Sequence, residues 1–393
     1  MPRNTFTTMA DVSDEAYQER ILPHVSRTFA LTIPQLPAGL RSAVTSAYLL
    51  CRIADTIEDE AALSAAETHV YLERFAGVVA GREEAAPLAR EVAARLSDRT
   101  LEAERDLVRN MDCVVRMTAR MRPEQREAIG RCIDRMCYGM HYFQRTASLG
   151  GLARSSDLDS YCYYVAGVVG EMLTELFCSY SSLTAERHAA LSELATSFAQ
   201  GLQMTNILKD VWEDRSRGAC WLPRDVFARH GVDLARLEPV PFDARFGAAL
   251  TELIGVAHAH LRNAIAFTLV IPRQESGIRR FCLWSIGLAV LTLRRIERNP
   301  GFTSGAEVKV SHASVALTRL LTTLAVRHDR VLMRLFDWAA GDLPLAPPAD
   351  VRRHSRAATI AAHAPHATLS REPAEIVHAE LVRAPYRERG STP

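Results

Sequence analysis

Apolar residues recur at helical spacing along almost the whole chain, while the alternation of a half-buried strand is scarce. The pattern predicts helices over 41–62, 101–121, 124–149, 157–181, 185–215, 241–271, 276–298 and 312–341. Several open on helix-start punctuation: Pro123 before EQREAIGRCIDRM, Ser156 and Asp157 before LDSYCYYVAG, and Thr184 before AERHAAL. A short helix from Arg224 to Arg229 should stop near Gly231. The connections are short, so one all-α domain over 14–342 is expected, its helices sharing a single core. From Leu343 the chain turns to Ala, Pro, Arg and His, and 343–393 reads as a flexible tail with little to bury.

Two polar stripes interrupt the apolar pattern. In AYLLCRIADTIEDE, Tyr48, Arg52, Asp55 and Asp59 fall at i, i+4, i+7 and i+11, with Glu58 beside them. In GLQMTNILKDVWED, Gln203, Asn206, Asp210 and Asp214 form a second stripe, with Glu213 adjacent. Apolar residues cover much of the rest of both helices. A single D-x-x-E-D motif is most simply a solvated helix face; two copies in apolar helices change that reading. Six carboxylates brought together repel and raise one another's pKa values unless cations lie among them. Aspartates with Asn or Gln, and no His or Cys, suit a hard oxygen-seeking ion. Mg²⁺ fits, with Mn²⁺ the alternative, because it is usually held by few carboxylates plus substrate phosphates. Such a site binds diphosphate through the metal and eases its departure. Arg27, Arg52, Lys209 and Arg217 lie in or beside the stripes as candidate phosphate ligands. For Lys209 a purely neutralising role weighs equally; for Arg52 the phosphate role is favoured.

Charge and cysteine content narrow the classes. Lys plus Arg number 47 against 46 Asp plus Glu, so no global basic field exists to hold nucleic acid. The 8 cysteines form no CxxC pair and mostly sit in apolar stretches, as reduced thiols of a cytoplasmic protein would. The N-terminal residues contain no signal-peptide core, and the longest nearly uncharged apolar run, Phe281 to Leu293, is too short to cross a bilayer. The expectation is a soluble protein, at most peripheral to a membrane.

YCYYVAGVVG (161–170) combines tyrosines with small residues. Its glycines are most simply close-packing positions; Tyr161 needs a partner if buried and can stabilise a cation. His258 and His260, at i and i+2, do not face one way. The tail histidines His354, His363, His366 and His378 read as solvated.

SRTFAL (26–31), YLLCRIADTIEDE (48–60), YCYYVAGVVGEML (161–173), GLQMTNILKDVWED (201–214) and WLP (221–223) together resemble the squalene/phytoene synthases, in family order across roughly 20–300. RRFCLWSIGLAVLTL (279–293) and AEVKVSHASV (306–315) look like the squalene-synthase branch, although Ser311 and His312 stand where basic residues often follow the lysine. Ala219 departs from a common family arginine, for which Arg217 can substitute, and Lys209 replaces another. The resemblance implies an isoprenoid-synthase-type helical bundle around a central cavity. It implies that Asp55, Glu58, Asp59, Asp210, Glu213 and Asp214 hold Mg²⁺. Arg27, Phe29, Arg52, Gln203, Asn206, Lys209, Arg217 and Phe281 would bind substrate, and Tyr161, Arg52 and Tyr48 would take catalytic roles. Lys309 and Asn206 would contact NADPH.

The implied reaction joins two farnesyl diphosphates head to head through presqualene diphosphate to squalene, in a monomer or weak dimer with transient membrane-surface contact. The alternatives are a dehydrosqualene, hydroxysqualene or phytoene synthase and, from another class, a non-catalytic scaffold. A head-to-tail or cyclising cousin should show DDxxD, which is absent.

Overall fold

The computed structural model describes residues 13–26 and 28–347. Among them every regular element is a helix, and the only β-type pairing is an isolated bridge between Leu152 and Pro223. Ala38–Glu58 packs against Met111–Ala119 and Pro123–Gln144, and Pro123–Gln144 packs in turn against Val168–Tyr180. His188–Lys209 lies between Val168–Tyr180 and Ala244–Val270, and Ala244–Val270 leads to Ser276–Arg298. Ser276–Arg298 touches the short Phe29–Thr32 and Ile33–Gln35 turns, and the latter meets Ala38–Glu58, so the contacts close into a ring.

The ring is held by apolar faces at helical spacing. Ala38–Glu58 buries Leu40, Val44, Leu49, Leu50, Ile53 and Ile57, leaving its polar stripe as the less covered side. Where Val168–Tyr180 packs on His188–Lys209, Gly170 is required: a Cβ there would stand 2.1 Å from the carbonyl oxygen of Ala195. The segment expected as 157–181 is Ser155–Cys162 and Val168–Tyr180 joined by a π-helical turn, Tyr163–Gly167.

Other expected helices divide as well. Asn110 separates Glu102–Arg109 from Met111–Ala119, and residues 326–328 separate His312–Ala325 from Asp329–Ala340. Arg279, 1% exposed, explains the second break: it donates to the carbonyls of Leu269, Ile271 and Val326 and pairs with Asp329 at 2.7 Å. Asp14–Val25, Ala65–Val79 and Ala85–Arg95 are helices the periodicity did not single out. Leu343 is buried, and His258 and Gly255 bond the backbone of Pro344 and Ala346, so the first residues of the expected tail are docked. The rest of that tail, with its four histidines, lies outside the described residues, as does Arg27.

Ala244–Val270 and Ser276–Arg298 are each long and apolar enough to span a bilayer, but 72% of each apolar window is buried in the protein. The eight cysteines are unpaired, and all but Cys178 are buried.

Candidate functional site

Asp55, Glu58 and Asp59 occupy the last turn of Ala38–Glu58 and its C-cap. The second motif sits differently. His188–Lys209 ends at Asp210, which also begins Val211–Ser216, so Glu213 and Asp214 lie on a short helix of their own. Arg217, its C-cap, joins the two motifs: one nitrogen lies 3.2 Å from Asp59 and another 2.7 Å from Asp214. The stripes therefore face each other across a cleft.

These carboxylates are reached by solvent yet ringed by protein. The side chain of Asp55 is 40% exposed and that of Asp214 14%. Loss of hydration in this concave setting, together with the neighbouring acids, shifts their titration upward. Asp55 is pushed up to about 7 chiefly by desolvation, with Arg52 opposing and Asp59 and Glu104 adding to it. Asp214 is pushed up to about 6, again by desolvation first, against the pull of Arg217. Glu58 is raised well above its ordinary value by desolvation and then by Asp59 and Asp55; Asp59 and Asp210 are raised as well, desolvation leading.

The cations are partly committed. Arg52 bonds Glu104 and lies 3.8 Å from Asp55, the neutralising arrangement rather than the phosphate role favoured from sequence. Its Nε is buried without a partner. Lys209 pairs with Asp210 at 3.1 Å, the neutralising alternative weighed from sequence. Gln203 is half-buried and Asn206 exposed on the same side of His188–Lys209.

A segment after Ser276–Arg298 clasps the second motif. Trp212 donates to the carbonyl of Phe302 at 2.7 Å, and the Gly305 N–H donates to Glu213 at 2.8 Å. Gly305 is packed tightly: a Cβ would lie 3.0 Å from Asp210 and 3.1 Å from the Lys209 carbonyl, closer than side chains usually sit. Four residues further on, Lys309 is exposed and makes no ion pair among the described residues. Sequence reasoning missed this clasp; the only signal was the glycine inside TSGAEVKV.

Tyr161 is buried and stacks on Trp221, ring centroids 4.2 Å apart, with Phe143 edge-on at 5.3 Å. Burial, then the nearby Glu58 and Asp214, hold its phenol well above the usual range, so it stays protonated. The structure thus places Tyr161 within the field of both motifs. Tyr48 donates to the Val25 carbonyl at 2.9 Å; its ring lies 4.9 Å from Phe29, which lies 6.4 Å from Phe281. These aromatics link the polar cleft to the apolar ring interior. His258 bonds Pro344 and His260 bonds Ser197, in separate environments. Glu60, last acid of DTIEDE, is structural: it accepts from the Ala62 and Ser97 N–H groups and the Thr100 hydroxyl.

Among the described residues no three acids, imidazoles or thiols converge as a ligand shell on their own. The donor set still fits a hard divalent ion that takes its remaining oxygens from water or substrate. Buried carboxylate oxygens of Glu58 and Glu213 lack partners, and the acids outnumber the cations among them. Such a cleft can hold a polyanion through cations, beside aromatic rings and an apolar interior.

A ring of helices around two facing acidic motifs defines the isoprenoid-synthase type of fold. Solved structures share it: the complex of TcSQS with the ligand BPH1237 superposes with a TM-score of 0.69 at 23% identity, over 88% of this chain and 96% of that one. A dehydrosqualene synthase does so with a TM-score of 0.58 at 21% identity, over 82% and 96%. The squalene/phytoene synthase family model matches residues 22–314, and the chain belongs to that family. It is 28% identical to squalene synthase BSS of Botryococcus braunii over 79% of this chain and 64% of that protein. It is 27% identical to squalene synthase of Eremothecium gossypii over 71% and 62%. The chain therefore spans a little under two thirds of the length of these two relatives.

Proposed function

We propose that the protein is a squalene synthase-like prenyltransferase that joins two farnesyl diphosphates head to head through presqualene diphosphate to squalene. The observation that carries this reading is Arg217 bridging Asp59 and Asp214, which sets two acidic motifs face to face. Similarity to the squalene synthases of Botryococcus and Eremothecium supports the same branch.

Asp55, Glu58, Asp59, Asp210, Glu213 and Asp214 would hold Mg²⁺, which supplies charge neutralisation to the departing diphosphate. Arg217, between the motifs, is placed to fork onto phosphate oxygens as they gain charge, and Lys209 and Arg52 supply further cations. Gln203 and Asn206 lie on the same stripe as neutral donors. After ionisation the allylic cation needs a wall that neither reacts nor admits water. Tyr161, stacked on Trp221 and kept protonated by burial, offers a π face to that cation. Tyr48, tied to the Val25 carbonyl, holds Phe29 against the apolar side, toward Phe281. Capture by the second double bond and loss of a proton close the cyclopropane; the buried rings keep water from quenching either cation. NADPH would deliver the hydride of the second half-reaction, near Lys309 and Asn206, whose segment is anchored to the second motif through Gly305.

The near-zero net charge fits a partner list without nucleic acid. We place the enzyme in the cytoplasm, as a monomer or weak dimer with transient membrane contact, since its product is a hydrocarbon. The test is one incubation of purified protein with farnesyl diphosphate and Mg²⁺, with and without NADPH, with analysis of lipid products. Squalene that requires both is expected. Dehydrosqualene, hydroxysqualene or phytoene would move the protein to another branch, and no condensation product would overturn the reading.

A further inference from the structure

The acidic cleft is not the only concavity. An apolar pocket with about 140 Å³ of free space opens between Ser276–Arg298 and the two helices after it, His312–Ala325 and Asp329–Ala340. Its wall includes Ile286 and Val290, then Leu317, Leu321, Phe336 and Trp338. Val290 lies nine residues beyond Phe281, half a turn round the helix, so the pocket is on the side opposite the candidate site. No residue assigned above lines it.

The surface around this pocket is apolar in a way that folding alone does not account for. His312–Ala325 buries only Ala325 outright, although it is rich in leucine. Leu317, Leu320 and Leu324 fall at i, i+3 and i+7, one stripe, and all are exposed, Leu324 by 70%. On the following helix Val331 and Trp338 are exposed too, Trp338 by 64%. Leu317 and Trp338 both line the pocket, which brings the two apolar stripes to one mouth.

Charge decides what covers this face. Arg327, Arg330 and Arg334 are exposed and make no ion pair among the described residues. The acids of Asp329–Ala340 are both neutralised, Asp329 by Arg273 and Arg279 and Asp337 by Arg262 at 3.0 Å. The region thus combines leucines, an exposed tryptophan and unpaired arginines, the composition of an interfacial helix on anionic lipid. A second copy would oppose the same arginines to one another across a two-fold axis, which like-charge repulsion disfavours.

We propose that this face docks on an anionic membrane surface and that the pocket admits one acyl chain from it. The inference specifies the membrane contact named above, but it stands on these residues and not on the synthase reading. Its test therefore reads vesicle binding and not turnover.

Full-length protein is floated with vesicles of phosphatidylcholine alone and with phosphatidylglycerol added. Binding to the anionic vesicles is expected, at least tenfold weaker to phosphatidylcholine or at high salt. Leu320→Asp with Leu324→Asp should cost at least tenfold in binding while leaving the circular dichroism spectrum and thermal midpoint unchanged. Arg330→Glu with Arg334→Glu should abolish the anionic preference. Brominated acyl chains should quench fluorescence in the wild type and much less in Trp338→Phe. No binding to anionic vesicles, or binding insensitive to the leucine variants, overturns the docking face. Leucine variants that only dissolve a concentration-dependent dimer in sedimentation overturn it in favour of a second copy. Equal quenching in wild type and Trp338→Phe overturns the acyl-chain pocket.

Discussion

The two D-x-x-E-D motifs share their letters and not their surroundings. At 55–59 the acids share the last turn and C-cap of one helix, and Glu58 stays in the field of Asp55, Asp59, Asp214 and Arg217, one oxygen buried without a partner. At 210–214 the helix breaks at Asp210, and the middle acid is held elsewhere: Glu213 accepts from Gly305 while Trp212 bonds Phe302. Consecutive residues on Val211–Ser216 point about 100° apart, so Asp214 meets Arg217 while Glu213 meets the neighbouring segment. The first motif is therefore a charge trap, and the second is both a charge trap and an anchor for the 302–309 segment.

The shared part of the comparison breaks first at Asp59 and Asp214, the pair that Arg217 spans. Asp59→Asn or Asp214→Asn should lower kcat/KM for farnesyl diphosphate by about 100-fold or more, the scale of losing one preorganised electrostatic group. Circular dichroism and the thermal midpoint should hold, since each change removes a carboxylate that already crowds its neighbours. The double variant should lose less than the product of the two, because one arginine couples them. Near-normal turnover in either single variant would refute the facing-motif assignment.

The unshared part breaks at the middle acids. Glu58→Gln should cost about 10- to 100-fold in turnover with stability equal or slightly higher, because a buried, unpartnered charge is removed. Glu213→Gln should weaken the bond to Gly305, costing about 1 kcal/mol. It should open the 302–309 segment to limited proteolysis, which Glu58→Gln should leave closed. Equal losses in both variants, with unchanged proteolysis, would erase the distinction. Lys309→Ala sharpens it further: several-fold more cyclopropyl diphosphate relative to hydrocarbon is expected by product analysis, with total substrate consumption little changed. An unchanged ratio removes the cofactor role from that segment.

Much of this was legible in the sequence because periodicity reports burial directly. The stripe of Tyr48, Arg52, Asp55 and Asp59 needed only helical spacing, and Ser276–Arg298 matches the range its apolar pattern predicts. What the spacing could not show was where helices stop. The break at Asp210 carries no Pro or Gly, and the division at 326–328 depends on Arg279, a residue far away in sequence that binds carbonyls there. Partners from other elements were equally hidden. Glu104 meets Arg52 and Trp221 stacks on Tyr161, contacts set by how helices cross and by no local pattern. Ala65–Val79 escaped notice although Ser64 and Glu67 form a capping box, a start signal present in SAAE.

The smallest expected effect separates the motifs by pH. In the unfolded chain both aspartates titrate near 3.8; in the fold Asp55 moves to about 7 and Asp214 to about 6. Between these limits the folded protein binds more protons than the unfolded one, so stability falls as pH rises. The contribution is fully present below the unfolded value and lost as pH passes through the folded values. Without divalent ions the thermal midpoint should therefore decline from pH 5 to pH 8. Mg²⁺ with inorganic diphosphate favours the ionised carboxylates, so its stabilisation should be small at pH 5 and largest at pH 8. Asp55→Asn should flatten the metal-free decline up to about pH 7, and Asp214→Asn should flatten it only up to about pH 6. A metal-free midpoint that rises over this window would mean that cations already satisfy both clusters. The first motif would then lose its character as a charge trap.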